Sequence, residues 1–406
     1  MAPSIPIHAE RRIAVHVTSA AERNLRQGHP WLYSDGVTRL NHAGEPGDLA
    51  VIYDKRNKFL AVGLYDPASP IRVRVLHHGT PAAIDRSWYI RKLAAAAKIR
   101  EPLEAQGTTG YRLVHGANDG LPGLVIDRYN TTLVLKLYTA AWLPHLTRLL
   151  DAIGEALPAR RVVLRLSRMV QAQALPGVCD GDVLVGPTIT QPVMFEENGL
   201  RFEVDPIHGQ KTGFFLDQRD NRARVETLCR GASVLDTFAY TGAFTVYAAR
   251  GGARDVTSID VSRDALKAAA ANLAHNRRSA AKARHHAIQG DAFEVLEELR
   301  RKRAEFDVVI LDPPAFAKTR GERTTALNAY RRLVMLSTGV LRRGGALVAA
   351  SCSTQMSAPD FFRTVREAAG RSRRRLKELA RTGHALDHPI GFREGAYLKC
   401  LFAVVE

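Results

Sequence analysis

Between Ser233 and Ala350 five runs of strand length, four of them apolar, alternate with helix-forming segments, and this alternation admits few folds other than a doubly wound, mostly parallel α/β sheet. The runs are Ser233-Val-Leu-Asp-Thr-Phe238, Asp255-Val-Thr-Ser-Ile-Asp260, His285-His-Ala-Ile-Gln-Gly-Asp291, Phe306-Asp-Val-Val-Ile-Leu-Asp312 and Gly345-Ala-Leu-Val-Ala-Ala350. Four of the five carry an acid at or near their carboxyl end: three end in Asp260, Asp291 and Asp312, and the first has Asp236 two residues before its end. Packing gives a core strand no use for a terminal carboxylate. A ligand crevice at the carboxyl ends of the strands does use one, to hold hydroxyls and an exocyclic amine.

The first strand-to-helix turn narrows the ligand. Asp236-Thr-Phe-Ala-Tyr-Thr-Gly-Ala-Phe-Thr245 has only Gly242 where a dinucleotide fingerprint needs three spaced glycines to admit a pyrophosphate. A nucleoside ligand without phosphates, carrying a positive centre that an acid can accompany, fits this turn better. S-adenosylmethionine is such a ligand. Asp260 is then placed to accept hydrogen bonds from ribose hydroxyls and Asp291 to lie near the adenine. An acid at the position of Asp260 also occurs in NAD enzymes, so it discriminates only together with the glycine-poor turn.

Two further residues meet at the same edge. Asp312 opens Asp312-Pro-Pro after the fourth run, and Cys352 closes Ala346-Leu-Val-Ala-Ala-Ser-Cys-Ser-Thr354 after the fifth. A thiol and a carboxylate there suit nucleophilic attack on an electrophilic ring that the acid holds in place. The competing reading of Cys352 is a buried, inert thiol.

Upstream, Ala50-Val-Ile-Tyr53, Phe59-Leu-Ala-Val-Gly63 and Ile71-Arg-Val-Arg-Val-Leu76, divided by turn residues, predict a small β-barrel or sandwich. Strict alternation in the last run predicts an apolar face opposed by two guanidinium groups, Arg72 and Arg74. A helix over 87–104, ended by Gly107, leads to strands at 111–115, 123–127, 131–138 and 161–166 with a helix between the last two, a small α+β layer. Asn198-Gly199 centres a hairpin over 193–204. The domains expected are 1–85, 86–192 and 193–406.

The 406 residues carry 58 Lys and Arg against 41 Asp and Glu, a formal charge of +17, which favours a polyanionic partner; without a polybasic block beside an apolar anchor, nucleic acid is favoured over a membrane. The four cysteines, Cys179, Cys229, Cys352 and Cys400, form no Cys-x-x-Cys pair, so neither a zinc site nor a disulfide framework is signalled. Reduced thiols point to the cytoplasm. No segment reaches the roughly 18 apolar residues of a membrane span, the first residues lack a signal-peptide core, and two prolines break the amphipathic helix of a transit peptide.

Four segments together resemble one family: Asp236-x-Phe-x-Tyr-x-Gly-x-Phe244, Leu311-Asp-Pro-Pro-Ala-Phe316, Ser351-Cys-Ser353 and Gly209-Gln-Lys-Thr-Gly-Phe-Phe-Leu-Asp-Gln-Arg-Asp-Asn-Arg222. They are similar to the class I ribosomal RNA large-subunit methyltransferase I family, which makes 5-methylcytosine in large-subunit rRNA. His29-Pro-Trp-Leu-Tyr-Ser34 resembles the opening of that family's PUA domain, and the likeness extends over nearly the whole chain. It implies a PUA-like barrel, a central α+β domain and a Rossmann-like class I methyltransferase domain. It further implies Cys352 as the nucleophile at cytosine C6, Asp312 holding the base, and cofactor contacts from Asp236, Phe238, Gly242, Asp260 and Asp291, with Gln218 and Arg219 as weaker candidates. For these last two the other reading is a helix N-terminus.

Many RNA cytosine-C5 methyltransferases have a second cysteine after the proline of the fourth-strand motif, where Pro314 and Ala315 stand here; this family lacks it too. If Cys352 is a core thiol, a guanine-N7 or exocyclic-amine N-methyltransferase becomes the better reading, and a noncatalytic RNA-binding assembly protein is the alternative of another class. The densest basic cluster, Arg371-Ser-Arg-Arg-Arg-Leu-Lys377, reads either as a phosphate contact or as a solvated helix face. Lys318 and Arg320 are better placed for phosphates near the catalytic centre. A homodimer is one assembly open to such an enzyme.

Overall fold

A computed structural model describes residues 11–173, 177–278, 283–317 and 320–406. The chain forms two compact units. One takes the chain to Phe195 with Val204–Phe214 and Leu386–Gly395; the other takes Glu196–Glu203, Phe215–Ala385 and Ala396–Glu406.

The first unit holds two sheets. One has the order Trp31–Tyr33, Ile71–His78, Phe59–Tyr65, Leu49–Tyr53, Arg12–Val17, Val37–Leu40. The other runs Val183–Val185, Arg161–Leu166, Thr132–Leu137, Leu124–Tyr129, Gly110–His115. Between them in sequence lies the helix Arg86–Ala105, which begins where a domain is expected to end: Asp85 accepts the Trp88 amide at 2.8 Å as its N-cap. A single apolar cluster joins Leu49, Val62 and Leu76 of the first sheet to Trp88 and Leu93 of this helix and to Leu124 and Leu135 of the second sheet. Barrel and central layer therefore share a core.

The expected guanidinium face of Ile71–His78 is not there. Arg74 is only 7% exposed, and its Nη1 lies 3.2 Å from the Asp66 carboxylate, which also accepts the Thr139 hydroxyl at 2.6 Å. Arg72 donates to the carbonyls of Asp66 and Pro67. The strand does alternate, but its second face is covered, so a charge there has to be paired.

The second unit is built on a seven-stranded sheet. In chain order its main elements are α1 (Arg219–Glu226), β1 (Ser233–Thr237), α2 (Ala243–Arg250), β2 (Asp255–Asp260), α3 (Arg263–His275), β3 (Arg284–Gln289), α4 (Ala292–Arg301), β4 (Phe306–Leu311), α5 (Arg323–Gly339), β5 (Leu341–Ser351), α6 (Ala358–Arg371), β6 (Leu376–Thr382) and β7 (Lys399–Val405). The sheet order is β3-β2-β1-β4-β5-β7-β6, with β3 to β5 parallel and β7 antiparallel to both its neighbours. Every residue of β1 is buried, as a strand with both faces covered requires. The order reverses between β1 and β4, which opens a crevice at their carboxyl ends.

The parallel α/β sheet follows the five runs, and the hairpin forms with Val193–Glu197 and Leu200–Val204 around Asn198-Gly199. β6 and β7 add two strands beyond those runs, and they move the basic cluster. Arg371 ends α6, Arg373 has a positive φ of 56°, and Lys377 lies within β6, so the cluster is a turn entering an edge strand and not a helix face. Lys377 stands opposite Val404, and Val404 opposite Ala346 at the middle of β5. Cys352 follows the carboxyl end of β5, and the rest of the cluster precedes Lys377 on the side away from that end, so the cluster sits at the sheet edge away from the crevice.

Candidate active site

The β1–α2 turn carries the strain. Phe238 and Tyr240 have φ of 59° and 48°, and Gly242 has φ of 73°. Two of these three left-handed positions are aromatic, where the conformation is costly and is retained where surrounding structure over-determines it. Here the Ala239 amide is tied to the Ile259 carbonyl at 2.9 Å, and the Tyr240 amide to Asp260 Oδ2 at 2.9 Å. Gly242 serves packing as well as conformation: a Cβ there would lie 2.5 Å from the Ala269 Cβ of α3. Phe215 meets the Tyr240 ring edge-on at 5.2 Å.

Asp236 is 1% exposed, and burial pushes its carboxyl up to about 7 against the lowering effect of Thr245, with Asp312 and Asp260 adding repulsion. Its Oδ2 accepts the Thr245 hydroxyl at 2.7 Å, which is joined through Ser258 to His285 Nε2 by contacts of 2.7 and 2.9 Å. Its Oδ1 is buried without a hydrogen-bond partner. An orphaned carboxylate oxygen at a crevice fits a cationic ligand. Asp260, at the end of β2, accepts the Tyr240 and Ser262 amides, both at 2.9 Å, one on each oxygen. Each oxygen retains a lone pair, enough for two vicinal hydroxyls. Asp291 caps α4 by accepting the amides of Phe293 at 2.9 Å and Glu294 at 3.3 Å, and is itself exposed. These residues fit the nucleoside and cationic centre of S-adenosylmethionine.

Asp312 follows β4 and Cys352 follows β5, its parallel neighbour, and both side chains are half-buried. Gln218 meets Asp312: its Nε2 donates to Asp312 Oδ1 at 2.8 Å, while its Oε1 accepts the Asn221 amide at 2.5 Å. Asn221 in turn accepts the Thr382 hydroxyl from β6. The structure thus sets Gln218 to aim Asp312. Arg219 is buried at 1% exposure, with Nε 3.3 Å from Asp220, at the start of α1. Gln218 and Arg219 also form the helix N-terminus of the other reading, Gln218 at the cap position and Arg219 as the first residue of α1, though no side-chain cap bond is made there.

Lys399 is a residue that sequence reasoning missed. It opens β7 opposite Ser351, is 4% exposed, and its Nζ donates to the carbonyls of Ser353, Met356 and Tyr397 at 2.5, 2.7 and 3.0 Å. Burial lowers it to about 8, while the nearby Cys352 sulfur, when ionised, holds the proton on it. Attraction is mutual, so the ammonium favours the thiolate. A single lysine in Tyr397-Leu-Lys-Cys-Leu-Phe402 is the signal that could have found it. Cys229 and Cys400 are buried and burial raises both thiols, which makes them inert. Lys318 and the side chain of Arg320 lie outside the described residues.

Comparison with known proteins agrees with this architecture. A PUA-like domain model matches residues 15–78, and an S-adenosylmethionine-dependent methyltransferase model matches residues 145–389. A ribosomal RNA large subunit methyltransferase of Deinococcus radiodurans is 48% identical over 99% of this chain and 100% of its own. A ribosomal RNA large subunit methyltransferase I of Aliivibrio fischeri is 37% identical over 95% of this chain and 98% of its own. Among solved structures, a methyltransferase of Streptococcus mutans superposes with a TM-score of 0.81 at 23% identity, covering 97% of this chain and 100% of its own. Another methyltransferase, solved with S-adenosylhomocysteine, reaches 0.83 at 22% identity with the same coverage, and both share the fold. Among the described residues no helix is long and apolar enough to cross a membrane. With its PUA-like domain, its S-adenosylmethionine crevice and relatives alike from end to end, the chain belongs to the ribosomal RNA large subunit methyltransferase I family of S-adenosylmethionine-dependent methyltransferases.

Proposed function

We propose that the protein methylates C5 of a cytosine in large-subunit ribosomal RNA, through a covalent bond between Cys352 and C6. The observation that carries this reading is the half-exposed Cys352 thiol at the end of β5, one strand from the half-exposed Asp312, with a buried ammonium supporting it. The names of the relatives supply the substrate class. We place the enzyme in the cytoplasm, where its thiols stay reduced.

S-adenosylmethionine supplies a methyl group on a sulfonium that departs as a neutral thioether. Asp260 holds its ribose hydroxyls, Asp291 lies toward its adenine, and Asp236 faces its positive charge; Phe238 and Gly242 shape the turn around it. Val261, 66% exposed beside Asp260, offers an apolar surface for the adenine face. Asp312, aimed by Gln218, holds the flipped cytosine through its N3–N4 edge. The Cys352 thiolate forms the S–C6 bond, the C5=C6 electron pair moves to C5, and C5 takes the methyl. A base then takes the C5 proton, the C–H electron pair re-forms C5=C6, and the S–C6 bond breaks to release the thiolate.

RNA carrying 5-fluorocytosine tests this, because fluorine stands where the departing proton should be. A stable protein–RNA adduct mapped to Cys352 is expected, and Cys352→Ala should lose both the adduct and methyl transfer while keeping S-adenosylmethionine affinity. Full methylation by a folded Cys352→Ala protein would promote amine or guanine-N7 chemistry instead.

A further inference from the structure

The second sheet of the first unit borders an opening whose lining combines hydrogen-bonding residues and two cations with an apolar side formed by Ile189, Pro192, Val193 and Met194. A cavity of about 310 Å³ lies where Arg160 and Arg161 enter their strand, faced by Asn130, Thr131, Thr188 and Thr190. No carboxylate lines it. Two other arginines of this sheet are neutralised, Arg112 by Asp127 at 2.8 and 2.9 Å and Arg165 by Asp180 at 3.1 Å, while Arg128 donates to the Pro158 carbonyl at 3.1 Å and lines no part of this cavity. Arg160 and Arg161 pair with no acid among the described residues, and the Nε of Arg161 is buried without a hydrogen-bond partner. A buried guanidinium donor left unmade is unfavourable and needs an acceptor that the protein does not supply.

Their backbone is fixed for such an acceptor. The amides of Arg160 and Arg161 both donate to the Thr131 carbonyl, at 2.8 and 3.3 Å. Gly186, with φ of 85°, crosses so near that a Cβ would lie 2.2 Å from the Arg160 carbonyl oxygen. The backbone that carries the two cations is therefore held, and both residues line the cavity.

We propose that this pocket binds a phosphate group of the RNA backbone. Two guanidinium groups meet the non-bridging oxygens, and the threonine hydroxyls and the Asn130 amide satisfy what remains of their acceptor capacity. The pocket reads no base, so it positions the RNA without specifying sequence. The identity of the phosphate as RNA rests on the substrate class proposed above; the phosphate chemistry rests on the pocket alone.

The test compares the full chain with its Arg160→Gln/Arg161→Gln variant, checked for fold by thermal melting and by unchanged S-adenosylmethionine affinity. Affinity for a large-subunit rRNA fragment should fall several-fold, and the slope of log affinity against log salt should flatten by about 0.7–0.9 for each phosphate that the variant no longer neutralises. Turnover at saturating RNA should stay the same. Equal affinity and slope in the two proteins overturns the pocket as an RNA site. If the unaltered chain itself has no affinity for rRNA, the substrate reading fails, and inorganic phosphate decides the pocket separately. Arginine Nε–H resonances in isotope-labelled protein should shift with phosphate in the wild type and not in the variant; an Arg161 Nε–H that responds to neither phosphate nor RNA overturns the site altogether.

Discussion

At the scale of single residues, Asp236 links structure to pH. Its carboxyl, raised by burial to about 7, holds a proton in the folded protein that an unfolded chain releases near pH 4. The folded state then binds more protons than the unfolded one across that interval. Its contribution to stability is fully present below about pH 4 and is lost as pH rises toward 7, a change of about 4 kcal/mol at most. A cationic cofactor reverses the preference by stabilising the carboxylate. S-adenosylmethionine affinity should therefore strengthen between about pH 5.5 and 7, and calorimetry in buffers of different ionisation enthalpy should detect proton release on binding at about pH 6. Asp236→Asn should abolish both the release and this pH dependence. Affinity that is flat with pH in the wild type would mean that Asp236 keeps its proton beside the cofactor.

At the scale of elements, the β1–α2 turn shows what a strand-to-helix crossing needs when α3 packs against it. Gly242→Ala would force a left-handed alanine and a Cβ at 2.5 Å from Ala269, a cost of about 3 kcal/mol when the backbone and overpacking penalties combine. Chemical denaturation measures it; a loss under about 0.5 kcal/mol would show that α3 yields easily. β1, β2, β4 and β5 were legible because burial makes them largely apolar runs, whereas β3, an exposed edge strand of sequence Arg284-His-His-Ala-Ile-Gln289, was legible through its place in the strand–helix alternation and the acid that follows it. β6, with Glu378 and Leu379 both exposed, was not, because an edge strand keeps no apolar alternation. β7 is apolar from Cys400 to Val405 and could have been read. The acids at strand ends were visible in the sequence and the structure gathers them at one edge. The bond from Gln218 to Asp312 crosses 94 positions, and the left-handed Phe238 and Tyr240 leave no compositional mark. Tertiary contacts impose both.

At the scale of the whole molecule, a charge of +17 raises the question of which cations serve the RNA and which serve the fold. Arg74 and Arg112 serve the fold through paired acids. Because the PUA-like barrel shares its core with the central layer, cutting the chain near residue 86 would open that core, so its RNA role is better tested by surface substitutions in the full chain. For the turn containing Arg373, Arg374 and Arg375, strand register makes a definite statement. It lies near the level of Ala346, about 17 Å along β5 from Ser351 at roughly 3.3 Å per residue, which is too far to hold the phosphates flanking a base at Cys352. Replacing the three arginines by glutamine should weaken RNA binding and flatten its salt dependence, for matched and unrelated RNA alike, while turnover at saturating rRNA is unchanged. Steady-state methylation across RNA concentrations separates the outcomes. A rise in KM alone agrees with a distant grip on the phosphates, whereas a tenfold fall in turnover would bring this turn to the reacting base and contradict the register of β5, β7 and β6.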